Sequence, residues 1–163
     1  MPNESKPRPL RLAAVLAWAA VLLMLTGTES LRHLLIHREL LFSFDPSPDF
    51  RAFFRWADIR TVHGEWLLVK LGHFLGFAAL DLLLMAWLGS KLRALGLSLL
   101  FAVFTEVLQL FQHRDGRLYD VLIDVSGALA AALMVALFAT LLKKNPAIPV
   151  SNEFNRFNNS QRR

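Results

Sequence analysis

Residues 66–112 read WLLVKLGHFLGFAALDLLLMAWLGSKLRALGLSLLFAVFTEVLQLFQ. Two long apolar runs are separated here only by the short stretch from Gly89 to Arg93. Each run is roughly 20 residues long, the length at which a helix crosses about 30 Å of hydrocarbon. So short a break predicts a tight helical hairpin, with spans at 66–89 and 94–112. Working outward, the uncharged run 12–28 reads as a preceding span. It is longer than the apolar core of a signal peptide, and Thr26-Gly27-Thr28 is a poor cleavage site. The run 118–142 carries acids only near its start and reads as a fourth span. The chain is therefore predicted to be an all-α membrane protein, a four-helix transmembrane bundle.

Composition agrees. The 163 residues are 55% hydrophobic and 19% charged, with a mean hydropathy of +0.41. Soluble domains run near 45–50% apolar and about 25% charged, so a disordered chain is excluded and a soluble enzyme disfavoured. The absence of Cys excludes a disulfide scaffold, a Cys-ligated zinc site and a thiol nucleophile. The net charge of +5 comes from basic residues that flank apolar runs, which is a topology signal and not a nucleic-acid surface. Membrane lipids are the expected partners, and no nucleic acid is.

Basic residues also set the expected orientation. Placing the N-terminus inside gives the inner segments ten Lys and Arg, including Arg11, Lys91, Arg93, Lys143 and Lys144, against seven in the outer segments. This predicts a cytoplasmic N-terminus at 1–11, a membrane domain at 12–142 and a cytoplasmic, disordered tail at 143–163. Within the outer loop at 29–65, Ser47-Pro48 looks like a cap followed by a first-turn proline. Phe50, Phe53, Phe54 and Ala57 then recur at helical spacing, predicting an amphipathic helix that lies in the outer interface or packs on the ends of the spans.

Charged residues inside a span are costly and face a bundle interior or a polar cavity. Counting from the span ends, Lys70 lies roughly 6 Å, His73 roughly 10 Å, Glu106 about 9 Å and Gln109 about 5 Å below the outer boundary. Asp120 and Asp124 lie at about 3 Å and 9 Å. Three helices thus bring their polar residues to one layer. Within each helix the spacing is i,i+3 or i,i+4, so each pair shares a face. Gly72-x-x-x-Gly76 and Gly127-x-x-x-Ala131 run beside these faces, and such small-residue spacings let helix backbones approach closely.

The order Lys70-x-x-His73-Phe74, Glu106-x-x-Gln109-x-Phe111, Arg114, Asp120 and Gly127 resembles the signature of the VanZ-like family of small multi-span bacterial membrane proteins. The resemblance covers residues 70 to about 142, and it departs from the family pattern at Asp124, where Asn is usual. It implies a place in the bacterial plasma membrane. It also implies a link to low-level teicoplanin resistance, through reduced association of the glycopeptide with the envelope. It implies no reaction.

The residues themselves leave several readings open. Lys70 and His73 can neutralise Glu106 and Asp124 in a purely structural network, with Asp120 near enough to the boundary to reach water. Lys70, Arg114 and Arg117 can instead bind an anionic or amphiphilic headgroup, such as that of a lipid-linked envelope precursor. His73 oriented by Glu106 or Asp124 can serve as acid or base in a hydrolase or transferase, although no nucleophile motif accompanies it. Ion or proton coupling is the fourth. No cofactor is expected, and one His among carboxylates has no diagnostic metal spacing, so no metal is expected either. Asp81 lies about 22 Å down its span, where Ser98 is placed to donate to it; a protonated Asp81 bonded between helices is the preferred reading and a proton relay the other. His33, His37 and His63 read as solvated loop residues.

Overall fold

The computed structural model describes residues 9–28, 44–56, 64–112, 114 and 116–144. Their regular secondary structure is all helical: α1 (Pro9–Gly27), a single 3-10 turn (Ala52–Phe54), α2 (Gly64–Leu88), α3 (Lys91–Leu110) and α4 (Leu118–Lys144). All four α-helices are long and apolar enough to cross a membrane. Residues 1–8, the tail from 145 onward, most of the first loop and its three histidines lie outside the described residues.

The hairpin between α2 and α3 follows from two residues. Gly89 takes φ +64°, a left-handed conformation that glycine adopts at no steric cost, and its N–H donates to the Met85 carbonyl at 2.9 Å. Ser90 is extended, and its hydroxyl accepts from the Arg93 N–H to cap α3. One residue stops a helix and the next starts another.

The chain divides into two compact units, 1–132 and 133–163. In the first, α1 packs against α2 and α3, and α2 against α3. Its apolar core is built from Val15, Leu22, Phe77, Leu80, Leu84, Ala94, Ala102 and Val121. The largest fully buried side chains are otherwise Glu106, Thr28, Thr105, Asp81, Asp124 and Ser98, all polar. Large apolar side chains such as Leu67, Leu100, Phe104 and Leu122 are exposed. Polar groups inside and apolar groups outside reverse the order of a water-soluble protein, as hydrocarbon surroundings require. In the second unit α4 continues through exposed Leu133, Leu137, Phe138 and Leu141 to Lys143 and Lys144 in its last turn.

Close backbone approach is concentrated at two glycines. A Cβ on Gly127 of α4 would collide with the Phe74 carbonyl of α2, so these two helices touch backbone to backbone. A Cβ on Gly76 would come within 2.7 Å of Leu22 Cδ2, and Trp18 Nε1 of α1 donates to the Gly76 carbonyl at 2.9 Å. Ala131 is buried on the Gly127 face. Gly72 does not make the contact its spacing predicts: nothing lies within 4 Å of a Cβ built on it. It sits one turn from Gly76, where the surface of α2 borders a cavity.

The loop also differs from its sequence expectation. Residues 44–51 are not helical, and only the 3-10 turn follows before the described stretch ends at Trp56. Asp45 Oδ1 accepts from the Ser47 N–H at 2.8 Å, and Asp49 Oδ1 from the Arg51 N–H at 3.0 Å. The second of these turns takes the Arg51 N–H, the donor of the first bond in a helix capped at Ser47. The segment instead docks on the end of α3. The Asp45 N–H donates to the Phe111 carbonyl at 2.7 Å, and Phe44 and Phe50 pack on the Phe111 ring. Ala57, the last residue of the expected apolar stripe, lies outside the described residues.

Candidate functional site: a buried polar cluster beside an apolar cavity

Where α2, α3 and α4 converge, the i,i+3 and i,i+4 faces meet. His73 Nδ1 lies 3.0 Å from Asp124 Oδ1 and 3.8 Å from Glu106 Oε1. Glu106 Oε1 accepts from Gln109 Nε2 at 2.9 Å, and its Oε2 accepts from the Arg117 backbone N–H at 3.0 Å. Lys70 Nζ sits 2.7 Å from the Asp120 carboxylate and over the rings of Trp66 and Tyr119, 5.5 and 5.1 Å from their centroids. Glu106 and Asp124 are wholly buried, and Asp120 and Gln109 nearly so.

These contacts correct one pairing and one expected exposure. Lys70 neutralises Asp120 and not Glu106, because one turn of α4 lifts Asp120 to the level of Lys70 while Asp124 drops to that of His73. Asp120 does not reach water; it is 2% exposed and paired with Lys70. The sequence-derived set Lys70, His73, Glu106, Gln109, Asp120 and Asp124 thus assembles as two linked subclusters.

Arg114 and Arg117 each donate to a backbone carbonyl. Arg114 Nη1 donates to the Thr28 carbonyl, tying down the C-terminal end of α1, whose last carbonyls have no helical partner. Arg117 Nη1 donates to the Ala52 carbonyl at 2.7 Å, holding the first loop over the cluster. Gly116, which spacing did not single out, is what allows the Arg117 N–H to reach Glu106. A Cβ there would collide with the Glu106 carbonyl. The only sequence signal was a glycine between two arginines in a short interhelical turn.

Beside the cluster lies a cavity of about 100 Å³ between α1 and α2. Leu22 and Leu25 line it from one helix and Leu68 and Phe77 from the other, while His73 and Arg114 supply polar groups. Gly72 opens part of its wall. The arrangement joins an apolar slot to an imidazole backed by two carboxylates. Such a slot suits an amphiphile. Farther along α2, Asp81 is wholly buried and accepts from Ser98 Oγ at 2.9 Å.

Comparison with known proteins agrees with this architecture. The VanZ/LLP1 family model matches residues 12–139. An uncharacterized membrane protein of Bacillus subtilis (strain 168), YwnJ, is 37% identical over 110 residues, which cover 68% of this chain and 79% of that protein. No solved structure matches. A family model matched over four spanning helices, together with this relative, makes the chain a multi-pass protein of the bacterial plasma membrane that belongs to the VanZ/LLP1 family.

Proposed function

We propose that this protein holds an anionic amphiphile, a lipid or a lipid-linked envelope precursor, in the cavity between α1 and α2, and thereby lowers glycopeptide association with the envelope. The observation that carries this reading is the cavity itself: apolar walls from two helices, with His73 and Arg114 as its ionisable groups. An acyl or prenyl segment gains from the apolar walls, and an anionic headgroup from the cationic rim. The VanZ resemblance supplies the direction of the effect on teicoplanin.

The test is to express the protein in a teicoplanin-susceptible host and measure labelled teicoplanin bound per cell. Wild type should lower that binding. Gly72→Leu fills the cavity from a position with no neighbour within 4 Å, so it should accumulate normally and lose the effect. An unchanged effect in Gly72→Leu, or no effect of wild type, would refute the proposal.

The 3.0 Å contact between His73 and Asp124 supports a second reading, acid–base catalysis on the headgroup of the same amphiphile. A hydrolase or transferase should change the profile of envelope lipids and precursors, and His73→Gln should abolish that change completely. A binding protein should leave the profile as it was and retain partial activity in His73→Gln.

A further inference from the structure

The polar cluster contains a set of donors that neither reading uses together. We propose that His73, Glu106 and Asp124 form a binding site for one divalent transition-metal ion, Zn²⁺ or Mn²⁺. Each of the three residues offers a donor atom, and the three atoms lie within 4.8 Å of one another. Each comes from a different helix, so an ion there joins α2, α3 and α4.

Geometry is the first support. Nitrogen and oxygen ligands sit about 2.0–2.2 Å from a bound zinc ion, which sets neighbouring donors roughly 3–4 Å apart. His73 Nδ1 is 3.0 Å from Asp124 Oδ1 and 3.8 Å from Glu106 Oε1, within that range. One imidazole with two carboxylates is a donor set of borderline hardness, suited to Zn²⁺ or Mn²⁺ and short of the oxygens that Ca²⁺ requires.

Charge is the second. Lys70 is committed to Asp120 at 2.7 Å. Glu106 and Asp124, both wholly buried, face the His73 imidazole. A proton on His73 balances one of them, whereas a divalent ion with neutral imidazole balances both. Uncompensated charge in this layer is costly.

The third support is the surroundings of the ligands. Asp124 Oδ2 has no hydrogen-bond partner among the described residues. This buried carboxylate therefore carries an unsatisfied acceptor beside the Oδ1 that faces His73, and a cation bound by both oxygens would satisfy it. Glu106 is held in place by Gln109 Nε2 and the Arg117 N–H, as outer groups fix metal-ligating carboxylates. Each of its oxygens keeps a second lone pair for an ion. His73 also lines the cavity, which gives an ion a route to the site.

The experiment uses the full chain in lipid nanodiscs, stripped with a chelator and reloaded with Zn²⁺ or Mn²⁺. Wild type should retain one ion per chain after desalting, and Zn²⁺ should raise its thermal midpoint. The Mn²⁺ form should show nitrogen hyperfine coupling from one imidazole. His73→Gln should lose that coupling, and Asp124→Asn should weaken retention at least about tenfold. Asp81→Asn, a buried carboxylate elsewhere in α2, should keep the ion and the coupling. Wild type that retains no stoichiometric ion would overturn the proposal, leaving a shared proton to balance the cluster. So would nitrogen coupling that survives in His73→Gln, since the ion would then sit on another of the chain's five histidines. If His73→Gln fails to fold, loss of the ion in Asp124→Asn against its retention in Asp81→Asn places it in the cluster, and equal retention in both overturns the proposal.

Discussion

Removing the Glu106 carboxylate should destabilise this protein more than any other single truncation in the cluster. Glu106 is wholly buried and satisfies two donors, Gln109 Nε2 at 2.9 Å and the Arg117 N–H at 3.0 Å. Glu106→Ala strands both. A buried donor left unpaired costs about 1–3 kcal/mol, and the lower part of that range applies where the unfolded chain stays in lipid and finds other partners. Two stranded donors therefore cost roughly 2–4 kcal/mol. Glu106→Gln keeps one acceptor oxygen and strands a single donor, for about 1–2 kcal/mol. Asp120→Ala frees only Lys70, whose side chain retains 13% exposure and rests on two aromatic rings. It can turn its ammonium toward water, so the loss is about 1–2 kcal/mol. The assay is reversible unfolding of purified protein in mixed micelles of increasing SDS fraction, with matched wild type. The expected order is Glu106→Ala worst, then Glu106→Gln and Asp120→Ala together. Equal losses for Glu106→Ala and Asp120→Ala would refute the reasoning, because they would mean that the two donors find other acceptors at no cost.

Because Lys70 pairs with Asp120, the double change Lys70→Met with Asp120→Leu should recover much of the stability that Lys70→Met alone loses, read by the same titration. Lys70→Met with Glu106→Gln should show no such recovery. Gly127→Ala should lower folded yield sharply in size-exclusion profiles, since the Phe74 backbone cannot yield as a flexible side chain can, whereas Gly72→Ala should leave yield unchanged. Gly116→Ala should cost about as much as Glu106→Gln, because it pushes the Arg117 N–H away from the carboxylate while leaving the carboxylate in place. Reporter fusions after Lys91 and Lys144 should read cytoplasmic and those near Pro46 and Arg114 external; the reverse pattern would overturn the charge-based orientation.

The spans, the hairpin and the polar layer were legible because each depends on local quantities: run length, a glycine before a cap, and residue rise along a helix. The Asp81–Ser98 contact was legible for the same reason, as depth alone aligned the two. Which cation meets which carboxylate was not. Spacing places Lys70 and His73 on one face and Asp120 and Asp124 on another, but a shift of one turn between helices exchanges the partners. Gly72 and Gly76 have the same local pattern, and only the neighbour on α1 distinguishes them, with Leu22 and Trp18 against one and a cavity against the other. The first loop misled because Ser47-Pro48 carries a helix-start signal, while Asp45 and Asp49 offer competing turns whose outcome depends on the distant Phe111 ring.

The Asp81–Ser98 hydrogen bond bears on how the chain is made. The two residues lie 17 positions apart, in the two arms of a single hairpin, and among the described residues no other helix supplies a partner to that oxygen. Released alone into the bilayer, α2 would present a carboxyl group to acyl chains deep in the hydrocarbon. Once α3 has been synthesised and folded back at Gly89, the carboxyl has its donor before α4 exists. The second and third helices should therefore leave the insertion machinery as a pair. Ser98→Ala should then lengthen the time for which α2 crosslinks to that machinery during synthesis, a delay absent from Asp81→Leu.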